Sequence, residues 1–453
     1  MSDLALASRR VTKRRFLVRW GGTALAAGSA LAACGGPSSS ETTGAASKGP
    51  VAIEYWSQRS FATDRLGFGP KAALEEFVAR NTSRVTVTVG EGGATLSLDK
   101  IKTALAANTQ PNLYAGLTQT AAVDLFTLGA LIDINTELKS NKDWAKTKSE
   151  LIQSAYDGCT WKGKLAMMPM MLAQQVLGLN KRLMAKAGVP LPQPGFTVAQ
   201  FLDFGRKVAQ PPDIALFPFN YSWSALNSWI YTNAQLPLSS DNTKVLYDTP
   251  PMLETLQWLH DQVTAGLGRN GAADFDMGKS VTESVNEAAA IAPPRFPNLD
   301  PGDGSGIHVI HFPMGPSNTK KQIISYANNY GLVALKSTDA AKQAMSAEMA
   351  GWHGRSDAQT RVAEASGHPP SNQVSARPEN LPKRIKDNAI LNLINDYGKF
   401  TYLTPNFPHW TDAMNLLQAN LMRVAKGELR PKDALADAQP KIQQLVTEDL
   451  QRG

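Results

Sequence analysis

Two kinds of hydrophobic pattern alternate along the chain between residues 51 and 117. Residues 51–56 are rich in strand formers, residues 85–89 alternate Val and Thr, and residues 112–117 form a short apolar run, so each segment is predicted to be a strand. Residues 70–80 carry apolar side chains at helical spacing, and residues 98–107 form a second predicted helix. The resulting β-α-β-α-β order predicts a largely parallel sheet.

The residues before this region have the pattern of an export leader. An arginine-rich start is followed by a mild apolar stretch over residues 21–33, and Cys34 closes the run Leu-Ala-Ala-Cys. The apolar stretch is too short to span a bilayer of about 30 Å as a permanent helix. Residues 12–17, Thr-Lys-Arg-Arg-Phe-Leu, resemble a twin-arginine export motif in its lysine-arginine form. The sequence leaves twin-arginine export and general secretion open as alternative routes.

The end of the leader resembles a bacterial lipoprotein signal. This resemblance implies that residues 1–33 are a signal peptide and that Cys34 becomes the lipid-bearing first residue of the mature protein. Because one acyl chain binds a membrane only marginally, two or three chains on this residue would make the anchor stable. Residues 34–50 are dominated by Gly, Ser, Thr, Ala and Pro, and we expect a flexible tether there. The protein is therefore expected to work outside the cytoplasm, anchored to the cell membrane.

The charge balance argues against nucleic acid as a partner. Of the formal net charge of +7, the leader accounts for +5, with six basic residues and one acidic residue, which leaves +2 for the rest of the chain. A nearly balanced surface provides no field that would attract phosphate backbones. We expect a monomer that binds no nucleic acid.

Length and cysteine content indicate the general architecture. About 400 residues follow the leader, which is too long for one compact core and predicts about two lobes. The second cysteine is Cys159, and with Cys34 lipidated no disulfide can form within the chain. Cys159 is therefore expected to be a small buried residue.

Residues 161–169 read Trp-Lys-Gly-Lys-Leu-Ala-Met-Met-Pro, and residues 178–183 read Gly-Leu-Asn-Lys-Arg-Leu. Together they resemble the pattern "gkly-a-P … l-y-N-k-d-l" of the sugar-type extracellular solute-binding proteins of ABC importers, a family that includes maltose-binding proteins. Further segments follow in the family's order, at residues 187–190, 194–204, 288–296, 312–316, 329–332, 365–370 and 434–445. The order and spacing of these segments carry the resemblance, since no single motif is diagnostic.

This resemblance implies an α/β fold of the two-lobed type II periplasmic-binding-protein class, hinged by segments that cross between the lobes. Lobe 1 is expected to comprise residues 51–170 plus 310–370, and lobe 2 residues 171–309 plus 371–453. Ligands of open α/β sheets bind outside the carboxyl ends of the strands, here in the cleft between the lobes. The implied partners are a small solute, a mono- or oligosaccharide, and the subunits of an ABC permease.

Several patterns that could carry metal or phosphate chemistry are better explained otherwise. His308 and His311 are three apart on a predicted strand, which directs the two imidazoles to opposite faces. Residues 300–306 resemble a calcium loop but lack the bidentate Glu at the twelfth position, and residues 278–280 lack the first glycine of a phosphate-binding loop. No nucleophile motif is present, and we expect no metal, no cofactor and no catalytic residue.

A set of aromatic and amide side chains has the chemistry that sugars require. The apolar face of a pyranose packs on an aromatic ring, and its hydroxyls bond to amides, carboxylates and Arg. Three members fall where a strand is expected to end at the cleft, namely Trp56, Gln119 and Tyr330. The full candidate set is Trp56, Ser57, Gln58, Gln119, Tyr221, Trp223, Trp229, Arg295, Phe296, Asn329 and Tyr330. Trp258 and Trp352 are expected in the core, and Trp229 fits either place.

The function predicted from the sequence is therefore capture of a carbohydrate for an ABC permease, without chemistry. One alternative is a secreted glycan-degrading enzyme, which would need a pair of carboxylates about 5 to 10 Å apart that the sequence does not indicate. The other alternative keeps the receptor fold but binds a peptide, a polyamine or an iron complex.

Overall fold

The computed structural model describes residues 49–91, 98–174, 176–209, 217–219, 223–265, 267–270, 290–291, 307–323, 325–387, 392 and 401–451. These all belong to one compact unit, Gly49–Gly453. The predicted leader with Cys34, nearly all of the tether, residues 278–280 and residues 300–306 lie outside the described residues. Tyr221, Arg295 and Phe296 lie outside them as well.

The described residues form the following strands and helices. The strands are β1 Val51–Ser57, β2 Val85–Glu91, β3 Leu113–Thr118, β4 Thr160–Trp161, β5 Lys164–Leu165, β6 Met168–Gln174, β7 Leu177–Asn180, β8 Phe217–Phe219, β9 Gly268–Asn270, β10 Ala290–Ile291, β11 Ile307–Ile310, β12 Ser325–Ala334 and β13 Thr401–Leu403. The helices are α1 Arg65–Arg80, α2 Leu98–Ala106, α3 Gln119–Thr127, α4 Ile134–Glu137, α5 Trp144–Glu150, α6 Gln153–Gly158, α7 Lys181–Lys186, α8 Val198–Val208, α9 Trp223–Ile230, α10 Pro250–Thr264, α11 Ala340–Gly354, α12 Ser356–Ser366, α13 Lys383–Lys386, α14 Trp410–Ala425 and α15 Pro431–Gln451. None of these helices is long and apolar enough to cross a bilayer.

The predicted β-α-β-α-β start is confirmed. β1 pairs in parallel with β2 on one side and with β3 on the other. Helix α1 begins at Arg65, five residues before the predicted start at Pro70, because the side chain of Asp64 caps it by accepting from the Leu66 N–H at 2.9 Å. Local capping thus extends the helix beyond its apolar stretch.

Two sheets form the centres of the two lobes. The larger sheet has the order β13-β12-β3-β1-β2, and β6 pairs with β12 outside that path. β12 is antiparallel to both β3 and β6 and parallel to β13. The second sheet has the order β10-β7-β11 and is antiparallel. Two-stranded pairs β4–β5 and β8–β9 complete the described sheet structure.

The buried apolar side chains form two large clusters. The first cluster combines β1, β3 and the end of β12 with helices α1, α3 and α11, and the second combines β7 with α8, α9, α10, α14 and α15. Ile310 and Phe312, which the predicted boundary placed in lobe 1, pack in the second cluster because β11 pairs with β7. The predicted core position of Trp352 is confirmed, since it is 8% exposed and belongs to the first cluster.

Three strands span the boundary between the two clusters, and we call them the crossing strands. Met171 in β6 belongs to the first cluster and Leu177 to the second, so the chain crosses between them. The chain returns through β12, whose Leu332 packs in the first cluster. β13 runs parallel to β12, from Tyr402 beside the second cluster toward lobe 1, and the chain then turns back to Phe407 in the second cluster. Because β12 pairs with both β6 and β13, the three crossing strands lie side by side.

Candidate ligand site

The C-terminal edge of the larger sheet gathers several polar side chains. β1 and β3 are parallel, so their carboxyl ends meet at this edge, where the Gln58 N–H donates to the Ala115 carbonyl at 3.0 Å. β12 runs past the same edge and places Tyr330 opposite Thr118. Gln58, Thr118 and Tyr330 are each half-buried. The edge faces the point at which the crossing strands leave for the second lobe, which is where the ligands of such folds bind.

Arg59 also belongs to this edge, although it is not among the candidates predicted from the sequence. Its guanidinium Nη1 lies 3.4 Å from Asp64 Oδ2, and its Nε is buried with no hydrogen-bond acceptor among the described residues. The Arg59 and Gln58 side chains cover Gly116, where a Cβ would lie 3.2 Å from the Gln58 Cβ. Gly116 has a φ of +91°, a conformation that glycine adopts without strain. The sequence signal that could have indicated Arg59 is its position just after the end of β1, next to the candidate Gln58.

Ser57 shapes the turn that presents Arg59. Its hydroxyl donates to the Arg59 carbonyl at 2.8 Å and accepts from the Arg59 N–H at 3.2 Å. The side chain is fully buried. Both bonds of the hydroxyl are local, so Ser57 supports the edge and does not project from it.

Trp56 lies on the face of β1 opposite the core residues Ile53 and Tyr55. Its indole Nε1 donates to Glu54 Oε1 at 2.6 Å, and the Lys100 ammonium lies 5.6 Å from the ring centroid. The ring also covers Gly90 of β2, where a Cβ would lie 2.6 Å from the Trp56 Cδ1. Trp56 is half-buried, near the end of β1 and beside α2.

Gln119 and Asn329 are buried and already hydrogen-bonded within the protein. Gln119 Oε1 accepts from the Asn329 N–H at 2.9 Å, and its Nε2 donates to the Thr404 carbonyl at 3.3 Å. Asn329 Nδ2 donates to the Ala155 carbonyl at 2.8 Å and to Cys159 Sγ at 3.1 Å. Both side chains are 0% exposed. Their amide groups are therefore engaged with the protein itself and do not face an open edge.

The lobe 2 candidates have different positions. Trp229 is 1% exposed and packs in the second cluster, with its ring 5.2 Å from that of Trp258 and 5.0 Å from that of Phe312. Trp258 is half-buried against the same cluster. Trp223 is the first residue of α9. Of the two places the sequence allowed for Trp229, the structure gives it the core.

His308 lies in β11 and His311 directly follows that strand, so only the first of the two is a strand residue. His311, directly after β11, accepts from the Gly195 N–H at 2.7 Å through Nε2 and donates from Nδ1 to the Phe312 carbonyl at 2.5 Å. Burial lowers the pKa of His311 below the usual range of imidazole, and burial likewise lowers the pKa of His308. The described ranges contain no group of three or more His, Cys, Asp or Glu side chains arranged to hold a metal ion.

The fold is shared with solved structures of solute-binding proteins. An ABC substrate-binding protein from Listeria monocytogenes, in complex with cycloalternan, has a TM-score of 0.71 at 17% identity and covers 88% of this chain and 99% of its own. A cyclic alpha-maltosyl-1,6-maltose binding protein from Arthrobacter globiformis gives a TM-score of 0.71 at 16% identity, with coverages of 88% and 100%. An ABC transporter solute-binding protein from Thermotoga lettingae, bound with alpha-D-tagatose, gives 0.72 at 19% identity, with coverages of 87% and 99%. At these identities the likeness establishes the two-lobed α/β fold.

Sequence comparison gives the family. No curated protein sequence matches the chain significantly. The family model described as bacterial extracellular solute-binding protein matches residues 72–391, well over half of the chain. The chain therefore belongs to the family of bacterial extracellular solute-binding proteins.

Proposed function

We propose that this protein captures a carbohydrate in the cleft between its lobes and delivers it to an ABC permease. The observation that carries the proposal is the group formed by Gln58, Arg59, Thr118 and Tyr330 at the carboxyl edge of the larger sheet. Two of the three neighbours described above hold a sugar in their structures and the third is named for binding one, which supports the same class of solute here.

The chemistry of this edge suits a sugar. The half-buried ring of Tyr330 offers an apolar surface for one face of a pyranose. The hydroxyl of Thr118 and the amide of Gln58 can donate to and accept from sugar hydroxyls. The buried Nε of Arg59 is a further donor at the same edge. The neutral groups outnumber the charged one, which favours a hydroxyl-rich neutral solute over a peptide, a polyamine or an iron complex.

Binding would couple to closure of the two lobes. A ligand drives closure only through contacts that are better in the closed form than in the open form. The edge described here belongs to lobe 1, so lobe 2 must supply contacts from the opposite side, and Tyr221, Trp223, Arg295 and Phe296 stay candidates for that side. Trp56 is a lobe 1 candidate at the end of β1. Three crossing strands make a hinge motion possible.

The location is outside the cytoplasm, as for the family. We propose in addition that the mature chain begins at a lipidated Cys34 and is tethered to the membrane by the residues up to 50. A monomer suffices for this role, because the cleft lies within one chain.

A sugar panel tests the proposed function. The protein is heated with maltotriose, a cyclic maltosyl-maltose and tagatose, and with spermidine and a tripeptide as non-sugar controls. A ligand at a hundred times its Kd stabilises the native state by about 2.7 kcal/mol, which a melting curve resolves. We expect a sugar to raise the Tm and to be recovered intact after incubation. A rise with spermidine or the tripeptide alone would contradict the proposed solute class, and cleavage of the sugar would favour the glycan-degrading alternative.

A further inference from the structure

A small third cluster of apolar side chains marks the place where the crossing strands meet. It consists of Leu172 from β6, Ala327 from β12, Leu403 from β13 and Ala155 from α6. Each crossing strand thus contributes one buried side chain. The contact is close, since a Cβ on Gly158 would lie 2.8 Å from the Leu403 Cδ1. The three strands therefore pack against each other and against α6 through this one cluster.

A buried polar network surrounds this cluster and ties the strands to lobe 1. Gln119, the first residue of α3, accepts from the backbone of β12 at Asn329 and donates to the Thr404 carbonyl directly after β13. Asn329 in turn donates to the Ala155 carbonyl of α6 and to Cys159 Sγ, while its Oδ1 accepts from the Ser371 hydroxyl at 3.2 Å. The two side chains connect elements that are far apart in sequence.

A second bond joins the same two crossing segments. The Thr404 hydroxyl donates to Asn328 Oδ1 at 3.0 Å, next to the Gln119 contacts. Within the part of the chain that the structure describes, β12 and β13 pair in parallel over Ser325–Ala327 and Thr401–Leu403. The side-chain bonds at residues 328, 329 and 404 therefore continue the attachment where the backbone pairing ends.

We propose that Gln119 and Asn329 form a hinge clamp, which holds the lobe 1 ends of two crossing strands and thereby sets the balance between open and closed forms. The clamp rests on the proposed function, because that function requires closure. Each member is a positioning residue, which acts through the strands and does not touch the solute. A rotation of lobe 2 must then bend the chain beyond the clamp, on the lobe 2 side of residues 328 and 404.

The physical basis is the cost of breaking hydrogen bonds in a buried site. Removing the Gln119 amide would break its bonds to the Asn329 N–H and to the Thr404 carbonyl, and all three residues are buried. The strands would have to shift or admit water to replace these two bonds. The crossing strands would then be free to pivot at a different point, which changes the relative populations of the open and closed forms.

Inter-lobe distances in the ligand-free protein test the clamp directly. Spin labels are placed at the exposed helix positions Ala145→Cys in α5 and Ala199→Cys in α8. The full chain carries Cys34→Ser in all samples, and Cys159 does not compete for the label because burial raises its pKa. Gln119→Met keeps the side-chain length and removes both hydrogen bonds of the amide. Thr404→Val is a milder second variant that removes the hydroxyl bond to Asn328 and keeps the Thr404 carbonyl that accepts from Gln119.

A matched control removes a buried amide elsewhere. Asn420 donates to the Ala434 carbonyl at 3.0 Å between α14 and α15, within lobe 2. Asn420→Leu should destabilise the fold through the same loss of a buried bond while leaving the distance between the labels unchanged. Circular dichroism and melting curves show which variants are folded, and distances are compared among folded variants only.

The expected result is a shifted or broadened distance distribution in Gln119→Met, and in Thr404→Val to a smaller extent, with no change in Asn420→Leu. Maltotriose serves as the probe for affinity, and its apparent Kd should change about threefold or more in Gln119→Met, since affinity follows the population of the competent form. A wild-type distribution in both folded hinge variants, or an equal shift in Asn420→Leu, would overturn the clamp. If wild-type protein fails to bind maltotriose or any sugar of the panel, the proposed function fails, while the ligand-free distances still decide on the clamp.

Discussion

Tyr330 lies directly opposite Thr118 in the antiparallel pairing of β12 with β3. Opposite residues of such a pair project from the same face of the sheet, so the ring and the hydroxyl form one surface. Thr118 is the last residue of β3, directly before helix α3, and Tyr330 lies in the crossing strand β12. The pair thus links the candidate ligand site to the hinge.

The first prediction concerns this surface. Tyr330→Ala, and separately Trp56→Ala, should each weaken sugar binding by about 1 to 3 kcal/mol, because aromatic area that packs on the sugar is lost. Isothermal titration calorimetry with a sugar that binds the wild-type protein measures the change. Phe126→Ala is a matched control, since Phe126 is a half-buried aromatic residue on α3 that packs against the first cluster. Unchanged affinity in both Trp56→Ala and Tyr330→Ala, with the fold intact, would show that the sugar lies elsewhere.

The second prediction concerns the core of lobe 1. Trp352 packs against Phe77 with ring centroids 5.9 Å apart, and its Nε1 donates to the Ala73 carbonyl at 3.1 Å. Trp352→Ala should lower the free energy of unfolding by about 3 to 5 kcal/mol, as for other large-to-small changes in cores. Urea unfolding measures this loss. Sugar affinity of the folded fraction should stay at the wild-type value, and a selective loss of affinity with normal stability would contradict the core assignment.

The third prediction is a dependence of stability on pH through His353. This imidazole is fully buried on α11 and donates from Nδ1 to the Met349 carbonyl at 2.7 Å. Burial lowers its pKa to about 4, against the ordinary value of 6.5. Between these two pH values the unfolded chain takes up a proton that the folded protein does not, so stability falls as the pH falls. The loss from this group should reach about 3 kcal/mol near pH 4.

The variant His353→Leu isolates this effect. Because a leucine side chain at this position binds no proton in either state, the free energy of unfolding of the variant should rise relative to the wild type as the pH falls from 7 to 4. Chemical denaturation of both proteins across that range gives the difference. A difference that stays constant over the whole range would show that His353 does not titrate between the two states.

The fourth prediction concerns the anchor. The lipid bond requires a thiol, so Cys34→Ser should abolish lipid attachment and the processing of residues 1–33. Metabolic labelling with a radioactive fatty acid, followed by immunoprecipitation, measures attachment. Cys159→Ser provides the control. The Cys159 thiol is 0% exposed and should carry no lipid, so this variant should be labelled like the wild type. Label that persists on the Cys34→Ser protein would refute the assignment.

The fifth prediction distinguishes the two export routes. Replacing Arg14 and Arg15 together by Lys keeps the positive charge of the leader and removes the arginine pair. Export should stall if the twin-arginine resemblance is functional, and cell fractionation with immunoblotting measures the exported fraction. A route that needs only positive charge would export the variant at the wild-type level.

Much of lobe 1 could be predicted from the sequence, because its information is local. The Val and Thr alternation of residues 85–89 and the apolar spacing of residues 70–80 specify a strand and a helix without reference to distant residues. The burial of Trp352 followed from its helical spacing among apolar neighbours, and the burial of Cys159 followed from the lack of a second free cysteine to pair with.

The candidate site could be predicted only in part. The strand ends of β1 and β3 indicated its position, but Arg59 was missed, because nothing in the sequence shows that its side chain covers Gly116. Gln119 and Asn329 were chosen for their side-chain amides. The structure uses these amides inside the protein, where Gln119 Oε1 accepts a hydrogen bond from the Asn329 N–H. A sequence pattern does not distinguish an amide that faces a solute from an amide that faces a backbone.

By itself, the sequence determined the order of strands and helices in the first third of the chain, the near-balance of charge after the leader, and the family. Each of these depends on residue type and on spacing over a few turns or strands. Only the tertiary structure decided which strands cross between the lobes, which core holds Trp229 and Ile310, and how Gln119 meets Asn329 and Thr404. These depend on pairings between segments hundreds of residues apart, whose geometry is set by the packing of the whole chain and not by any local periodicity.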